Sequence, residues 1–120
     1  MHEMSIMGEI FTIINSYIHH HSVTKITKVV VMVGEMTCIT EDALDFAFQV
    51  FAENTIAEEA EFIINRVKAK AKCSNCGKSF NITYTEKLCS YCNSYSDNIT
   101  NGFELVLEKI EGEIDENNQN

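Results

Sequence analysis

The sequence has little positive charge. Nine lysines and arginines stand against 18 aspartates and glutamates, which gives a formal net charge of −9. Four of the acidic residues lie in the last ten positions. Proteins that bind nucleic acids neutralise phosphates with clustered lysine and arginine, so this balance argues against a nucleic-acid partner.

Other absences exclude further classes of protein. No apolar run approaches the roughly 20 residues of a membrane-spanning helix, so no membrane partner is expected. The acidic start Met1-His2-Glu3 does not resemble a signal peptide, which indicates a cytoplasmic location. Neither a glycine-rich phosphate loop nor the spacing of a Ser-His-Asp triad is present, so the chain is not expected to be an enzyme.

The most informative pattern present is a pair of Cys-x-x-Cys motifs, the first over Cys73–Cys76 and the second over Cys89–Cys92. Each motif can place two thiolates at one tight turn, and Gly77 suits a turn with positive φ. Four thiolates brought together suit a tetrahedral Zn²⁺ with no open position, which would be structural. Two disulfides and a thioredoxin-like redox pair are the alternatives, but thiols in a reducing cytoplasm favour zinc.

Hydrophobic periodicity predicts two helices and three strands. In chain order these are a helix from Ser5 to about His21, a strand over Thr24–Val33, a helix capped by Thr40 and ending near Asn54, a strand from about Glu59 to Lys72, and a strand over Phe103–Ile110. The order predicts an α+β fold with two helices on one face of a three-stranded sheet and an inserted zinc ribbon. Residues 1–72 and 98–112 would form one discontinuous domain, 73–97 the zinc domain, and 113–120 a disordered acidic tail.

A helix beginning at Ser5 leaves Met1, His2 and Glu3 as a free arm. The terminal amine, backbone amides and the His2 imidazole can chelate one metal through closely spaced nitrogens, and Glu3 can add its amide or carboxylate. All-nitrogen, square-planar coordination suits Ni(II) or Cu(II) better than zinc. The alternative is a terminal histidine that binds nothing, because chain termini are often disordered.

Two further features are ambiguous. His19-His20-His21 is expected to be a solvated helix end, where positive charge is favourable, with a loose auxiliary metal site as the alternative. Cys38 belongs to neither motif and is expected to be a small buried hydrophobic residue.

Three separated signals together resemble the HypA/HybF family of hydrogenase maturation proteins, which are nickel metallochaperones. The signals are the start Met1-His2-Glu3 with Ser5, the segment Val31-Met-Val-Gly34-Glu35-Met36, and the cysteine pairs followed by Gly102-Phe-Glu-Leu105 and Ile110-Glu111. The resemblance covers roughly residues 1 to 112. It implies His2 as the essential nickel ligand, Met1 and Glu3 as secondary ligands, and Cys73, Cys76, Cys89 and Cys92 as ligands of a structural zinc.

The same resemblance implies that the chain delivers Ni(II) to the large subunit of [NiFe]-hydrogenase, as a monomer or homodimer, with the nucleotide-hydrolysing partner HypB. One departure is Ser90, which stands where many members have proline, so a preset φ angle is lost without the loss of a ligand. A zinc-ribbon nucleic-acid or transcription module and a thiol redox protein are the competing interpretations of the cysteine pattern.

Overall fold

The structure, a computed structural model, describes residues 3–114. The helices are α1 (Glu3–His21) and α2 (Glu41–Ala52), with a short 3₁₀ turn over Glu35–Thr37. The strands are β1 (Val23–Gly34), β2 (Glu61–Val67), β3 (Lys70–Lys72), β4 (Ser79–Asn81), β5 (Ile99–Asn101) and β6 (Leu105–Ile114). The chain divides into two compact units, and the second comprises Met32–Cys38 and Asn65–Val106.

The first unit contains the two helices and most of the residues of a three-stranded sheet in the order β2-β1-β6. The helices pack on one face of this sheet, which confirms the predicted α+β class and its arrangement. Each helix buries one apolar stripe, and Phe11 of α1 lies 5.5 Å from Phe48 of α2 between ring centroids. Phe48 in turn stacks on Phe62 of β2 at 4.4 Å. Aromatic rings therefore join both helices to the sheet.

The centre of β1 is a continuous apolar run. Val29, Val30 and Val31 are all buried, as expected of a strand covered on both faces. The strand extends one residue beyond the predicted range, Thr24–Val33, at each end.

The second unit contains a three-stranded antiparallel sheet in the order β4-β3-β5, in which Ala71 pairs with Phe80 on one side and Ile99 on the other. Its core is small, and the buried residues are Met36, Ala69, Ala71, Cys73, Phe80, Ile82 and Cys89. At one edge the Gly34 amide donates to the Glu104 carbonyl and the Met36 amide donates to the Gly102 carbonyl. A Cβ at Gly34 would collide with the Gly102 backbone, so only glycine permits this approach.

The predicted strand from Glu59 to Lys72 is wrong as one element. The structure divides it into β2 and β3, which belong to different sheets. At the break, Ala69 is buried and its carbonyl accepts a hydrogen bond from the Ile82 amide at 3.1 Å. Alternation of side chains continues through the break while the pairing partner changes, so the periodicity alone could not locate it.

Three predicted boundaries also need correction. Helix α1 begins at Glu3 and not at Ser5, because an acidic side chain in the first turn favours the positive end of the helix. No strand is predicted between Lys72 and Phe103, whereas the structure forms β4 and β5 there. Strand β6 continues past Ile110 to Ile114.

The acidic end of β6 is held to the neighbouring strand β1 by specific contacts. The Glu111 carboxylate forms an ion pair with Lys28 of β1 at 3.6 Å and another with Lys109 of β6 itself at 3.2 Å. The hydroxyl of Thr24 donates to the Glu113 carbonyl at 3.2 Å. Residues 113 and 114 of the predicted tail therefore lie in the sheet, while 115–120 lie outside the described residues.

Thr40 occupies the N-cap position of α2 as predicted, but its side chain makes no capping hydrogen bond. Within residues 3–114, no helix combines the length and the apolarity that crossing a membrane requires.

The aromatic contacts generate a stability prediction. Phe48→Ala, at a side chain only 4% exposed, should lower the free energy of unfolding by about 3–5 kcal/mol, because it leaves a cavity between two rings. Phe46→Ala, at a side chain 64% exposed on the same helix, should cost about 0.5 kcal/mol or less. Urea unfolding of the two variants measures both values, and similar losses would contradict the packing described.

Candidate metal centre

The four motif cysteines are carried by two turns of matching construction. In the first knuckle (residues 73–78) the Gly77 amide donates to the Cys73 carbonyl at 2.8 Å, and the Cys73 amide donates to the Lys78 carbonyl at 2.9 Å. In the second knuckle (residues 89–94) Asn93 and Ser94 make the equivalent bonds to Cys89, both at 2.8 Å. The two motifs therefore repeat one hydrogen-bonding plan.

The residue after each second cysteine has a left-handed backbone. Gly77 has φ 77° and Asn93 has φ 65°. Glycine adopts this conformation freely, and asparagine is one of the few other residues that tolerate it. Sequence reasoning identified Gly77 and missed Asn93, although the position of Asn93 one residue after the second Cys-x-x-Cys motif was available as a signal.

The knuckles bring the four sulfurs together. The Sγ atoms of Cys73 and Cys92 lie 3.5 Å apart, those of Cys76 and Cys89 lie 3.6 Å apart, and all four lie within 4.8 Å of one another. Disulfide bonds would require about 2.05 Å. Sulfurs bound tetrahedrally at about 2.3 Å from Zn²⁺ lie about 3.8 Å apart, so the donor set and its spacing fit zinc.

The environment of the sulfurs divides them into two pairs. Cys73 and Cys89 are buried in the core of the second unit, whereas Cys76 and Cys92 are exposed. Amides orient three of the sulfurs: the Cys76 amide donates to the Cys73 Sγ, the Tyr91 amide to the Cys89 Sγ, and the Asn75 side chain to the Cys92 Sγ. Hydrogen bonds of this kind hold metal ligands in position, so Asn75 is a supporting residue that the motif alone did not reveal.

The thiols differ in acidity. Hydrogen bonds from Ser94, and then from the Asn75 amide and Cys73, lower the pKa of Cys92 to about 6. The Lys78 amide favours the Cys76 thiolate, but loss of water and hydrogen bonds to the other three thiols outweigh it and raise the pKa of Cys76 to about 11. Without a bound metal, the Cys92 thiol therefore ionises more readily than the Cys76 thiol.

Of the residues predicted for the nickel arm, Met1 and His2 lie outside the described residues. Glu3 is the first residue of α1 and not part of a free arm, which corrects that prediction. Its half-buried side chain lies in the first helical turn.

The histidine triplet ends α1, and its three side chains are exposed, as predicted for a solvated helix end. The Nδ1 atom of His20 lies 2.7 Å from the Ser16 carbonyl, and that of His21 lies 3.0 Å from the Tyr17 carbonyl. Among the described residues, the triplet does not join any group of three or more potential metal ligands.

Cys38 is exposed, so the prediction that it is buried is wrong. It has a left-handed backbone, with φ 61°, immediately after the 3₁₀ turn. Its Sγ lies 2.6 Å from the hydroxyl of Tyr84, which donates to the Met36 carbonyl. Contact with this sulfur raises the pKa of Tyr84.

The chain is similar to known proteins over nearly its whole length. A family model described as "Hydrogenase/urease nickel incorporation, metallochaperone, hypA" matches residues 1–112. Hydrogenase maturation factor HypA of Desulfitobacterium hafniense is 38% identical over 113 residues, which cover 94% of this chain and 99% of the relative. The same-named protein of Aquifex aeolicus is 36% identical over 115 residues, 96% of this chain and 100% of the relative.

The chain is also similar to a solved structure over nearly its whole length. The solution structure of the Ni metallochaperone HypA from Helicobacter pylori matches with a TM-score of 0.66 and 26% sequence identity, over 96% of this chain and 100% of that one.

The left-handed positions generate a prediction about zinc. Gly77→Ala should weaken zinc binding roughly five- to 30-fold, because a side chain in this backbone conformation costs about 1–2 kcal/mol. No atom lies within 4 Å of the new Cβ, so a collision would not contribute. Asn93→Gly should leave the affinity unchanged or slightly improved. Competition with a chromophoric chelator measures the zinc affinity of both variants. Equal effects of the two substitutions would contradict the role given to the left-handed backbone at residues 77 and 93.

The unequal thiols generate a prediction about pH. Zinc binding requires thiolates, so at about pH 7.5 Cys76 must release a proton whereas Cys92 is already ionised. Fewer than four protons should therefore be released per zinc at that pH. At about pH 5.5, below the pKa of Cys92, the number should rise. Calorimetric titration of zinc-free protein in buffers of different ionisation enthalpy counts these protons, and release of four at both pH values would exclude the ionisation of Cys92.

Proposed function

This chain belongs to the HypA family of nickel-incorporation metallochaperones, and we propose that it binds Ni(II) and delivers it to the large subunit of [NiFe]-hydrogenase. The observation that carries the proposal is the family match over residues 1–112, which includes His2 and all four motif cysteines. The family description names both hydrogenase and urease, and the relatives cited above are named hydrogenase maturation factors, which favours hydrogenase.

In this proposal the cysteine cluster holds a structural zinc. Cys73, Cys76, Cys89 and Cys92 would supply four thiolates, so no position remains for a substrate or for an exchanging metal. Bound zinc would supply cross-linking of the two knuckles and neutralise their charge. The core of the second unit is small, and its three strands have three residues each, so this unit would depend on the metal for much of its stability.

Nickel would be cargo, held by nitrogen atoms at the start of the chain. We assign the ligands to the Met1 amine, the His2 imidazole and the backbone amide or carboxylate of Glu3. The first four amides of a helix have no acceptor within the helix, so the start of α1 at Glu3 leaves that amide available. The imidazole binds metal in its neutral form, so nickel affinity should fall as the pH drops below the ordinary histidine value of about 6.5.

A carrier must hold nickel and also release it. Ligands at the start of a chain can exchange one by one with those of a partner, without disturbing the buried core. The partners we propose are a HypB-type nucleotide-hydrolysing protein and the hydrogenase large-subunit precursor, with the chain acting in the cytoplasm as a monomer or homodimer. It would transfer a metal ion and catalyse no covalent chemistry.

The two other functions considered for the cysteine pattern have less support. A redox role needs thiols that react freely, whereas zinc coordination would protect all four. A nucleic-acid role needs clustered positive charge, and residues 73–97 contain only Lys78 and Lys87 as basic side chains. Neither role accounts for the family match at the beginning of the chain.

The nickel assignment predicts the effect of one substitution. In zinc-loaded protein, His2→Ala should abolish the uptake of one Ni(II) per chain, because the imidazole is the anchoring ligand. Zinc content and the far-ultraviolet circular dichroism spectrum should not change. His20→Ala is the matched control, since it removes an exposed histidine from the end of α1. Calorimetric titration with nickel measures the number of Ni(II) ions bound per chain by the wild type, His2→Ala and His20→Ala.

Equal nickel uptake by the wild type and His2→Ala would remove the site from the start of the chain, and loss in His20→Ala alone would move it to the triplet. Extension of the chain by Gly-Ser before Met1 tests the amine separately. The extension should weaken nickel binding at least several-fold, because the Met1 amine becomes a peptide amide. An extended protein with unchanged affinity would exclude the amine as a ligand.

A further inference from the structure

An open groove runs along the outer side of α2 in the first unit. It has a volume of about 790 Å³, and one wall is formed by Phe46, Val50 and Glu53 at α2. The opposite wall is formed by the loop residues 58–60 and Phe62 of β2. We call this the α2 groove. None of its lining residues is a motif cysteine or belongs to the proposed nickel site.

The apolar side chains of the α2 groove are unusually exposed. Phe46 is 64% exposed and Val50 is 43% exposed, and they lie four residues apart on one face of the helix. The floor is firmly packed, because Phe48 and Phe62 stack there with their ring planes within 10°. An exposed aromatic residue beside a preformed apolar floor is typical of the anchor points of protein interfaces.

The rim of the groove is acidic, and among the described residues only one of its carboxylates, that of Glu59, has a basic partner. Glu58 accepts a hydrogen bond from the Asn54 amide at 2.8 Å, and Glu59 pairs with Lys25 at 3.3 Å. Within residues 3–114, no lysine, arginine or histidine pairs with Asp45 or Glu53.

The lysines of the first unit pair with glutamates other than Glu53, and one of these glutamates, Glu59, lines the groove. These lysines are Lys25, Lys28 and Lys109, and each already lies within 4.0 Å of a glutamate, while the unit has no arginine. Partial burial raises the pKa of Asp45, and the neighbouring Asp42 and Glu41 carboxylates raise it further. The last turn of α2 also lacks a basic residue, so its negative end adds to the same field.

The contacts distinguish between possible occupants of the groove. A chelated metal ion is disfavoured, because the groove carboxylates do not form a group of three with metal-binding spacing among the described residues. Anionic ligands are excluded by charge. A cationic segment with a large apolar side chain satisfies both features, because its charges face the rim while its apolar group covers Phe46 and Val50.

We propose that the α2 groove binds a protein partner through a basic amphipathic segment, with Phe46 as the apolar anchor and Asp45 and Glu53 as the charge-recognition residues. The groove is distinct from the proposed metal ligands, so this inference does not rest on nickel binding.

The test uses the full-length, zinc-loaded chain and a fluorescein-labelled synthetic peptide about three helical turns long, with leucine and lysine arranged as an amphipathic helix. One control peptide has glutamate in place of lysine, and another has serine in place of leucine. Fluorescence anisotropy at about 0.1 M salt should show binding of the first peptide alone. Phe46→Ser should weaken it about tenfold or more, and Glu53→Gln about threefold.

Matched control variants lie on α1, outside the groove. Ile13→Ser removes an apolar residue that is 53% exposed, and Glu9→Gln removes an exposed carboxylate. Both should bind the peptide within about twofold of the wild type. Absence of peptide binding, or equal losses in the groove and control variants, would overturn the proposal.

Two further measurements separate this proposal from its rivals. Sedimentation equilibrium should give the same molecular mass for the wild type and Phe46→Ser, and dissociation caused by the substitution would show that a second copy of the chain occupies the groove instead. Phe46→Ser should retain full nickel uptake, and His2→Ala should retain peptide binding. Failure of the nickel assignment and failure of the groove assignment are thus distinguishable.

Discussion

The convergence of four sulfur atoms is the constraint on which the second unit depends. Its strands have three residues each, and two of its seven core residues are themselves cysteines. Strands this short bury too little apolar surface to specify a sheet unaided. The knuckles compensate by closing the chain twice with the same hydrogen bonds, one pair at each Cys-x-x-Cys motif. Because Cys73 and Cys89 belong both to the core and to the ligand cluster, the packing of this unit and the positions of the sulfur atoms depend on each other.

The first unit is built on a different principle. Its stability comes from apolar contacts, with the valine run of β1 at the centre and three aromatic rings joining the helices to the sheet. None of the four motif cysteines belongs to this unit. The proposed nickel ligands lie at the start of the chain, so ligand exchange there would leave the buried contacts unchanged. Sulfur and nitrogen donors would thus serve two metals with opposite requirements, permanence and release.

Negative charge is also distributed according to structure. The lysines of the first unit are used in ion pairs along β1, β2 and β6, where they hold strand ends and the acidic residues of β6. None of these three lysines neutralises Asp45 and Glu53 beside the exposed Phe46. From the sequence, the acidic composition is only an argument against a nucleic-acid partner. In the folded chain, several of the carboxylates are concentrated along one surface, the α2 groove.

Much of this protein follows from signals that span only a few residues. Periodicity predicts both helices and gives the range of β1 to within one residue at each end, and motif spacing predicts the union of the four cysteines. Other features have no such local signal. The division at Ala69, the exposure of Cys38 and the supporting role of Asn75 depend on partners distant in the chain.

The features with a local signal differ from those without one in how far apart in sequence the interacting residues lie. Backbone preference and side-chain periodicity are local, so the sequence by itself determined where the chain turns and which of its residues can bind metal. Strand pairing and burial are decided by segments far apart in sequence. Only the tertiary structure decided which sheet β3 joins, how the sulfurs are oriented, and that acidic and aromatic side chains of α2 meet β2 in one groove.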